Sequence, residues 1–220
     1  MKITWYGHAA FAVESTVGTK VILDPYNYPD CGGYLAIDEP ADVVCVSHDN
    51  PAYHSDISSI HPPFEHIEAL KFVGGSREAA GIRFDAHEVY ETPDGEGPNA
   101  MVKFTMDGVT VGHQGDLGHA LEGDALDFLR GVDVLLALAG DGPTIALPDL
   151  VEVIRATQPS YVIPMHYGTA RVNLNLLPVS EFMKLCADEF AVEEPGQPTL
   201  EVTQETLPDK PRIVVLDHAR

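Results

Sequence analysis

Four stretches of the chain end an apolar, β-rich run on a side chain that can bind a metal. In the first, the run 43–46 is followed by Ser47 and His48, and then by His54 in Asp-Asn-Pro-Ala-Tyr-His. The second carries His87 beyond residues 82–86. The third carries His113, Asp116 and His119 after 109–112, and the fourth carries His166 shortly after 160–164. Strands of one sheet that all end this way bring such groups together at one rim, where rigid scaffolds present chemistry on loops. Neutral imidazoles with a carboxylate suit zinc, manganese or iron, and an open coordination position holds a water. The metal lowers the pKa of that water toward neutrality and makes hydroxide available as a nucleophile. Taken singly, each residue has a plainer reading. A histidine after a strand is usually a half-exposed loop residue, the class to which His61 and His66 are assigned, and Asp116 in Gly-Asp-Leu-Gly suits a turn or a helix cap. Order and shared context set the four stretches apart.

The elements that must position these groups follow from periodicity. Strands are expected at 3–5, 10–14, 20–23 and 43–46, with Gly7, Gly18 and Asp24-Pro25 supplying the turns. Residues 26–39 read as a loop over one edge. Further strands are expected at 70–73, 82–86, 101–106 and 109–112, the last two joined by an Asp107-Gly108 hairpin. The rhythm then changes to helix at 121–130, strand at 132–138, helix at 148–157 with a proline at its start, strand at 160–164 and helix at 179–190. Strands return at 200–202 and 212–216. A meander followed by alternating helix and strand suggests two sheets with helices packed outside.

At 220 residues the chain can bury a sizeable core as one domain, expected to span 1–220. Its formal net charge of −21, from 34 acids against 13 bases, repels phosphate backbones and argues against nucleic-acid or anionic-membrane binding. The N-terminal residues lack the apolar core of a signal peptide and read as a first strand. Three well-separated cysteines, Cys31, Cys45 and Cys186, favour a reduced, cytoplasmic setting over a disulfide framework.

With those residues in view, the chain resembles the metallo-β-lactamase superfamily. More narrowly, it is similar to the small Zn-dependent hydrolases related to ascorbate-6-phosphate lactonase. The resemblance runs through Met-Lys-Ile-Thr-Trp-Tyr-Gly-His-Ala at 1–9, Leu-Asp-Pro at 23–25, Val-Ser-His at 46–48 and His-Gln-Gly-Asp-Leu-Gly-His at 113–119. It continues in Ile-Pro-Met-His-Tyr-Gly-Thr at 163–169 and Asn-Leu-Leu-Pro-Val at 175–179. It implies an α/β fold, a four-layer αββα sandwich, with a metal site at one edge of the two sheets. His48 then stands at the first histidine of the family's His-x-His-x-Asp-His motif. His87 stands at a later-strand histidine, Asp116 at a bridging aspartate and His166 at the C-terminal ligand.

The motif itself is interrupted. In register, its second histidine is Asn50, its aspartate is Ala52 and its last histidine is Tyr53. A one-residue insertion would bring His54 into the place of the last histidine, with Asp49 or Asp56 as substitute carboxylates. What remains favours a single, weaker site on His48, His87, Asp116 and His166, with His54 added by the shift. His8 and His119 occupy family-like positions and are read as hydrogen-bonded supports for the site. Asn99 is read as orienting loop backbone or substrate, Asp24 as anchoring the loop, and His113 as packing beneath it.

Two functions are compatible with these residues. The first is a metal-dependent hydrolase of a small lactone, ester or phosphoester, using zinc, manganese or iron as one ion or a weakly held one. Asp116 would ligate the metal and orient water, and His54 would donate a proton. The second is a non-catalytic protein of the same fold that has lost its metal and binds a ligand or partner. A nuclease would need a basic surface that is absent here. β-Lactam hydrolysis is disfavoured by the reduced setting and by the lactonase-like subgroup. The expected partner is a small-molecule substrate, with no nucleic acid and no membrane, and a homo-oligomer is compatible with the chain.

Overall fold

The computed structural model describes residues 1–220. The first part of the chain builds a six-stranded sheet from β1 (Lys2–Gly7), β2 (Ala10–Glu14), β3 (Lys20–Leu23), β4 (Val43–Val46) and β5 (Glu65–Glu68). Alternation explains why these residues make strands. Phe11, Val13, Val21, Leu23, Val43 and Cys45 point into the main core, while Ala10, Ala12, Ile22 and Val44 point into a second, smaller core on the opposite face. Successive side chains on a strand take opposite faces, so a sheet buried on both sides needs apolar residues at every position.

The next strands are β6 (Ser76–Ala79), β7 (Ile82–Tyr90), β8 (Pro98–Met106), β9 (Val109–His113), β10 (Val134–Leu138), β11 (Tyr161–Met165) and β12 (Ala191–Glu193). They are followed by β13 (Thr199–Glu201) and β14 (Arg212–Val214). β13 returns to the edge of the first sheet, whose order is β13-β1-β2-β3-β4-β5. The others form an eight-stranded sheet of order β12-β14-β11-β10-β9-β8-β7-β6.

The two-sheet sandwich is therefore present. Helices α1 (Gly123–Phe128), α2 (Leu147–Thr157) and α3 (Val179–Cys186) pack together with the larger sheet. Helix α2 turns Leu150, Val151, Val153 and Ile154 inward and ends on Gln158, whose left-handed conformation lets its N–H reach the Ile154 carbonyl. Over the outer face of the smaller sheet lie loops. Tyr26, Cys31, Tyr34, Ile37 and Ala41 from one segment and Ile60 from another fill the second core. Gly7 belongs to this packing: its φ is +132°, and a Cβ there would stand 2.5 Å from the Tyr34 ring.

Several segments depart from the expected pattern. Residues 70–73 are not a strand, because Ala69–Phe72 forms one 3₁₀ turn between β5 and β6. The helix expected at 179–190 stops at Cys186, whose carbonyl accepts the N–H of both Glu189 and Phe190 as the chain turns into β12. Strands β5 and β6, Glu-His-Ile-Glu and Ser-Arg-Glu-Ala, give no periodic apolar signal. They are edge strands with one buried residue each.

Topology fixes where the site can form. β3, β4 and β5 run parallel, and so do β9, β10, β11 and β14. β1 is antiparallel to β2, and β2 to β3, so β1 ends at the same edge as β3. Asp24, His48, Asp116, His166 and His8 all follow the C-terminal ends of strands that reach this edge.

Candidate metal centre

His8, Asp24 and His166 each leave their strand in the left-handed conformation, with φ of 50°, 41° and 52°. For a residue with a Cβ this costs on the order of 1–3 kcal/mol and persists only where the surroundings impose it. The surroundings here are explicit. The Asp24 N–H donates to the Cys45 carbonyl at 3.0 Å, and the His166 N–H donates to the His8 carbonyl at 2.9 Å. That carbonyl also accepts the Trp5 indole N–H at 3.0 Å.

Asp24 organises the next layer. Its Oδ1 accepts the Ser47 N–H at 2.7 Å, and its Oδ2 accepts the Ser47 hydroxyl at 2.6 Å and the His54 Nδ1–H at 3.0 Å. Having given its proton to Asp24, the Ser47 hydroxyl can only accept from His48 Nδ1, 2.9 Å away. A carboxylate accepts and does not donate, so both imidazoles carry hydrogen on Nδ1 and turn Nε2, bare in the neutral ring, toward the rim. One buried carboxylate thus sets two tautomers.

The bare nitrogens converge. Donor atoms of His8, His54 and His166 lie within 4.8 Å of one another, and so do those of His48, His54 and Asp116. His166 Nε2 is 3.2 Å from Asp116 Oδ1, and His54 Nε2 is 3.5 Å from Asp116 Oδ2. The buried atoms left without a hydrogen-bond partner include both ring nitrogens of His8, Nε2 of His48 and His54, Nδ1 of His166 and Oδ1 of Asp116. Such groups are normally paired, because leaving one unpaired costs about 1–3 kcal/mol. Unpartnered imidazole nitrogens gathered around a carboxylate fit a divalent transition metal.

The electrostatics follow the geometry. Burial pushes the His8 pKa well below its ordinary value, and the neighbouring His166 and His54 push it further the same way. Burial likewise lowers His48 to about 4. His54 goes the other way: burial opposes its charge, but Asp116 and Asp24 outweigh burial and raise it to about 10, so an ion binding at its Nε2 displaces a proton. Asp24 is held at about 2 against its own burial, chiefly by His113 and His54. Asp116 is likewise depressed against burial, by His166 and His54.

The sequence-derived candidates divide accordingly. His48, His54, Asp116 and His166 are brought together. His87 is not. It sits half-buried on β7 with its ring 5.5 Å from Phe128 of α1. Strand alternation puts it on the same side as Asp85, opposite Phe84 and Ala86, and the position expected for a later-strand ligand therefore faces a helix. Asp49 and Asp56 also stay outside: Asp49 accepts the Ser55 hydroxyl, and Asp56 accepts Asn27 Nδ2 and the Ser58 N–H. Asn50 contributes backbone, its carbonyl accepting the N–H of Tyr53, His54 and Ser55. That turn carries His54 inward. Tyr53 donates its hydroxyl to Asn173.

The supporting residues are mostly as expected. Asn99 donates to the Gln114 carbonyl and accepts the Asp116 N–H at 3.1 Å, cradling the Asp116 loop. Gly115 is required there, since its φ is +61° and the Asn99 amide occupies the space of a Cβ. His113 donates from Nε2 to the Ala9 carbonyl and accepts the Gly115 N–H on Nδ1. His119 donates to the Ala120 carbonyl and accepts the Tyr90 N–H. His8 differs from the expected hydrogen-bonded support, because its ring makes no hydrogen bond at all. Glu91, one residue beyond β7, is a group that motif spacing does not reveal; its Oε1 lies 3.6 Å from His48 Nε2. Its only signal is that it follows a strand reaching the rim.

Comparison with known proteins places the chain among relatives. A model of the β-lactamase superfamily domain matches residues 2–166. A UPF0173 metal-dependent hydrolase of Archaeoglobus fulgidus is 29% identical, across 77% of this chain and 84% of its own. A UPF0173 protein of Pyrococcus furiosus is 31% identical over the same shares, 77% and 84%. Among solved structures, a Thermotoga maritima protein assigned to the Zn-dependent hydrolases of the metallo-β-lactamase superfamily matches with a TM-score of 0.77 and 30% identity. That match covers 98% of this chain and 99% of the other. An isothiocyanate hydrolase from Delia radicum gut bacteria shares the fold alone, with a TM-score of 0.66 at 13% identity over 100% and 98% of the two chains.

Proposed function

The chain belongs to the metallo-β-lactamase superfamily, and on that footing we propose that it is a metal-dependent hydrolase of a small lactone, ester or phosphoester. One observation carries the reading: bare nitrogens of His48, His54 and His166 and an unpartnered oxygen of Asp116 share one buried rim. Donors drawn from this group would hold the ion, with zinc, manganese or iron suiting the mixed nitrogen and oxygen set. A bound ion supplies a Lewis acid and a water acidified toward neutrality.

The chain's own groups supply orientation and proton handling. Asn99 accepts the Asp116 backbone N–H and so fixes the loop that carries the carboxylate. His54 has its Nδ1 proton committed to Asp24 and its Nε2 turned toward Asp116, which favours holding an ion over handing a proton to a leaving group. Glu91 is better suited to that task. It is partly exposed beside His48, and burial and then the Asp116 carboxylate raise its pKa, the direction a general acid needs. A cleft of about 220 Å³, lined by His48, Asp49, His66, Glu68, Leu70 and Lys71 among others, opens beside His48 and suits a small substrate.

Metal analysis of the purified chain, before and after chelation and resupply, tests this reading together with hydrolysis of a panel of lactones, aryl esters and phosphodiesters. About one transition metal per chain is expected, with hydrolysis lost on chelation and restored on resupply. A chain that takes up no metal after supplementation would overturn it.

A further inference from the structure

We propose that His8 is a metal ligand, and that the ion's principal seat is the triad His8, His54 and His166 beside Asp116. The proposal rests on the metal-dependent reading above and goes further by naming a donor outside the His48 loop. His8 is 1% exposed, and neither of its ring nitrogens has a hydrogen-bond partner. Its ring centroid lies 4.0 Å from that of His166 and 5.2 Å from that of His54. Its backbone is locked in the left-handed region by two hydrogen bonds to its carbonyl, from Trp5 and from His166. A buried imidazole with both nitrogens idle, on a strained backbone and packed against two other imidazoles, has a physical account once a cation accepts its lone pair.

The shared residue decides the stoichiometry. Both donor groups use His54, and its Nδ1 is taken by Asp24, leaving one lone pair on Nε2. One lone pair binds one ion, so the triad with His8 and the group with His48 cannot both be filled through His54. The His8 triad offers three imidazole nitrogens, with Asp116 Oδ1 3.2 Å from His166 Nε2 as the adjacent carboxylate. Such a set selects zinc, cobalt or iron and discriminates against magnesium and calcium, which require oxygen ligands. Asn50, Ala52 and Tyr53 replace the motif's usual donors, and the Tyr53 ring lies 5.3 Å from that of His8, so His8 stands beside the gap they leave.

The test is calorimetric zinc titration and cobalt(II) absorption on the full metal-stripped chain and its variants. At φ of 50° an alanine would be strained, so His8→Gly and His8→Asn, which tolerate that backbone, are the informative changes. His87→Ala serves as a control away from the site. The wild type is expected to bind one ion per chain with no competition from magnesium. Both His8 variants should weaken zinc by at least ~100-fold, the upper range for removing even a supporting partner, and alter the cobalt spectrum. His48→Ala should weaken it by less than about tenfold. Wild-type affinity and spectrum in both His8 variants, with binding abolished in His48→Ala, would overturn the proposal and leave the hydrolase reading standing. Absence of any ion in the wild type would bring down both. Circular dichroism and the metal-free Tm separate lost ligation from lost folding.

Discussion

At the scale of single residues, Asp24 is the group on which the others depend. It accepts three hydrogen bonds while fully buried and thereby holds His48 and His54 in the Nδ1–H form. Asp24→Asn puts a donor where an acceptor is needed and should lower zinc affinity by about 10–100-fold, measured by competition with a chromophoric chelator. Strand-then-histidine spacing made His48, Asp116 and His166 legible, and the shift by one residue found His54. Spacing carries no information on which face of a strand a side chain takes, and so His87 was misplaced against Phe128. His8 follows β1 by the same rule as the others. What spacing cannot convey is that its ring nitrogens would find no partner in the fold.

At the scale of elements, the inner strands were readable because burial on both faces writes itself into an unbroken apolar run, as in Val43–Val46. The edge strands β5 and β6 were not, because solvent leaves their composition free. The elements are also tied together by charge. Glu39, in the loop over the smaller sheet, accepts Lys20 from the start of β3 at 2.7 Å and Arg220 at 2.5 Å. Burial raises its pKa, but hydrogen bonds from Lys20 and Tyr6 and the charge of Lys20 and Arg220 more than offset this, and the net direction is down. A carboxyl depressed in the folded state contributes stability that is fully present above its ordinary value. That stability is lost as pH falls through the folded value. The wild type should therefore lose Tm more steeply than Glu39→Gln on acidification from about pH 5. Parallel melting curves for the two proteins would refute the linkage.

At the scale of the whole molecule, the net charge of −21 sets up self-repulsion across the surface. Raising sodium chloride from about 10 mM to 1 M shortens the screening length from about 30 Å to 3 Å. The Tm should rise along that series, and a flat or falling Tm would mean that specific ion pairs outweigh the repulsion. No helix of the chain is long and apolar enough to cross a membrane.

The loop over the smaller sheet also constrains anyone who would redesign this protein. In enzymes whose recognition loops lie over a finished scaffold, such a segment can be exchanged freely to seek new substrates. Here Tyr26, Tyr34 and Ile37 are the roof of the sheet, and Tyr34 reaches across to hydrogen-bond Thr169, three residues beyond His166. A grafted loop must therefore bring its own apolar underside and its own tie to the segment after His166. Without both it would strip a β-sheet bare while trying to change a specificity.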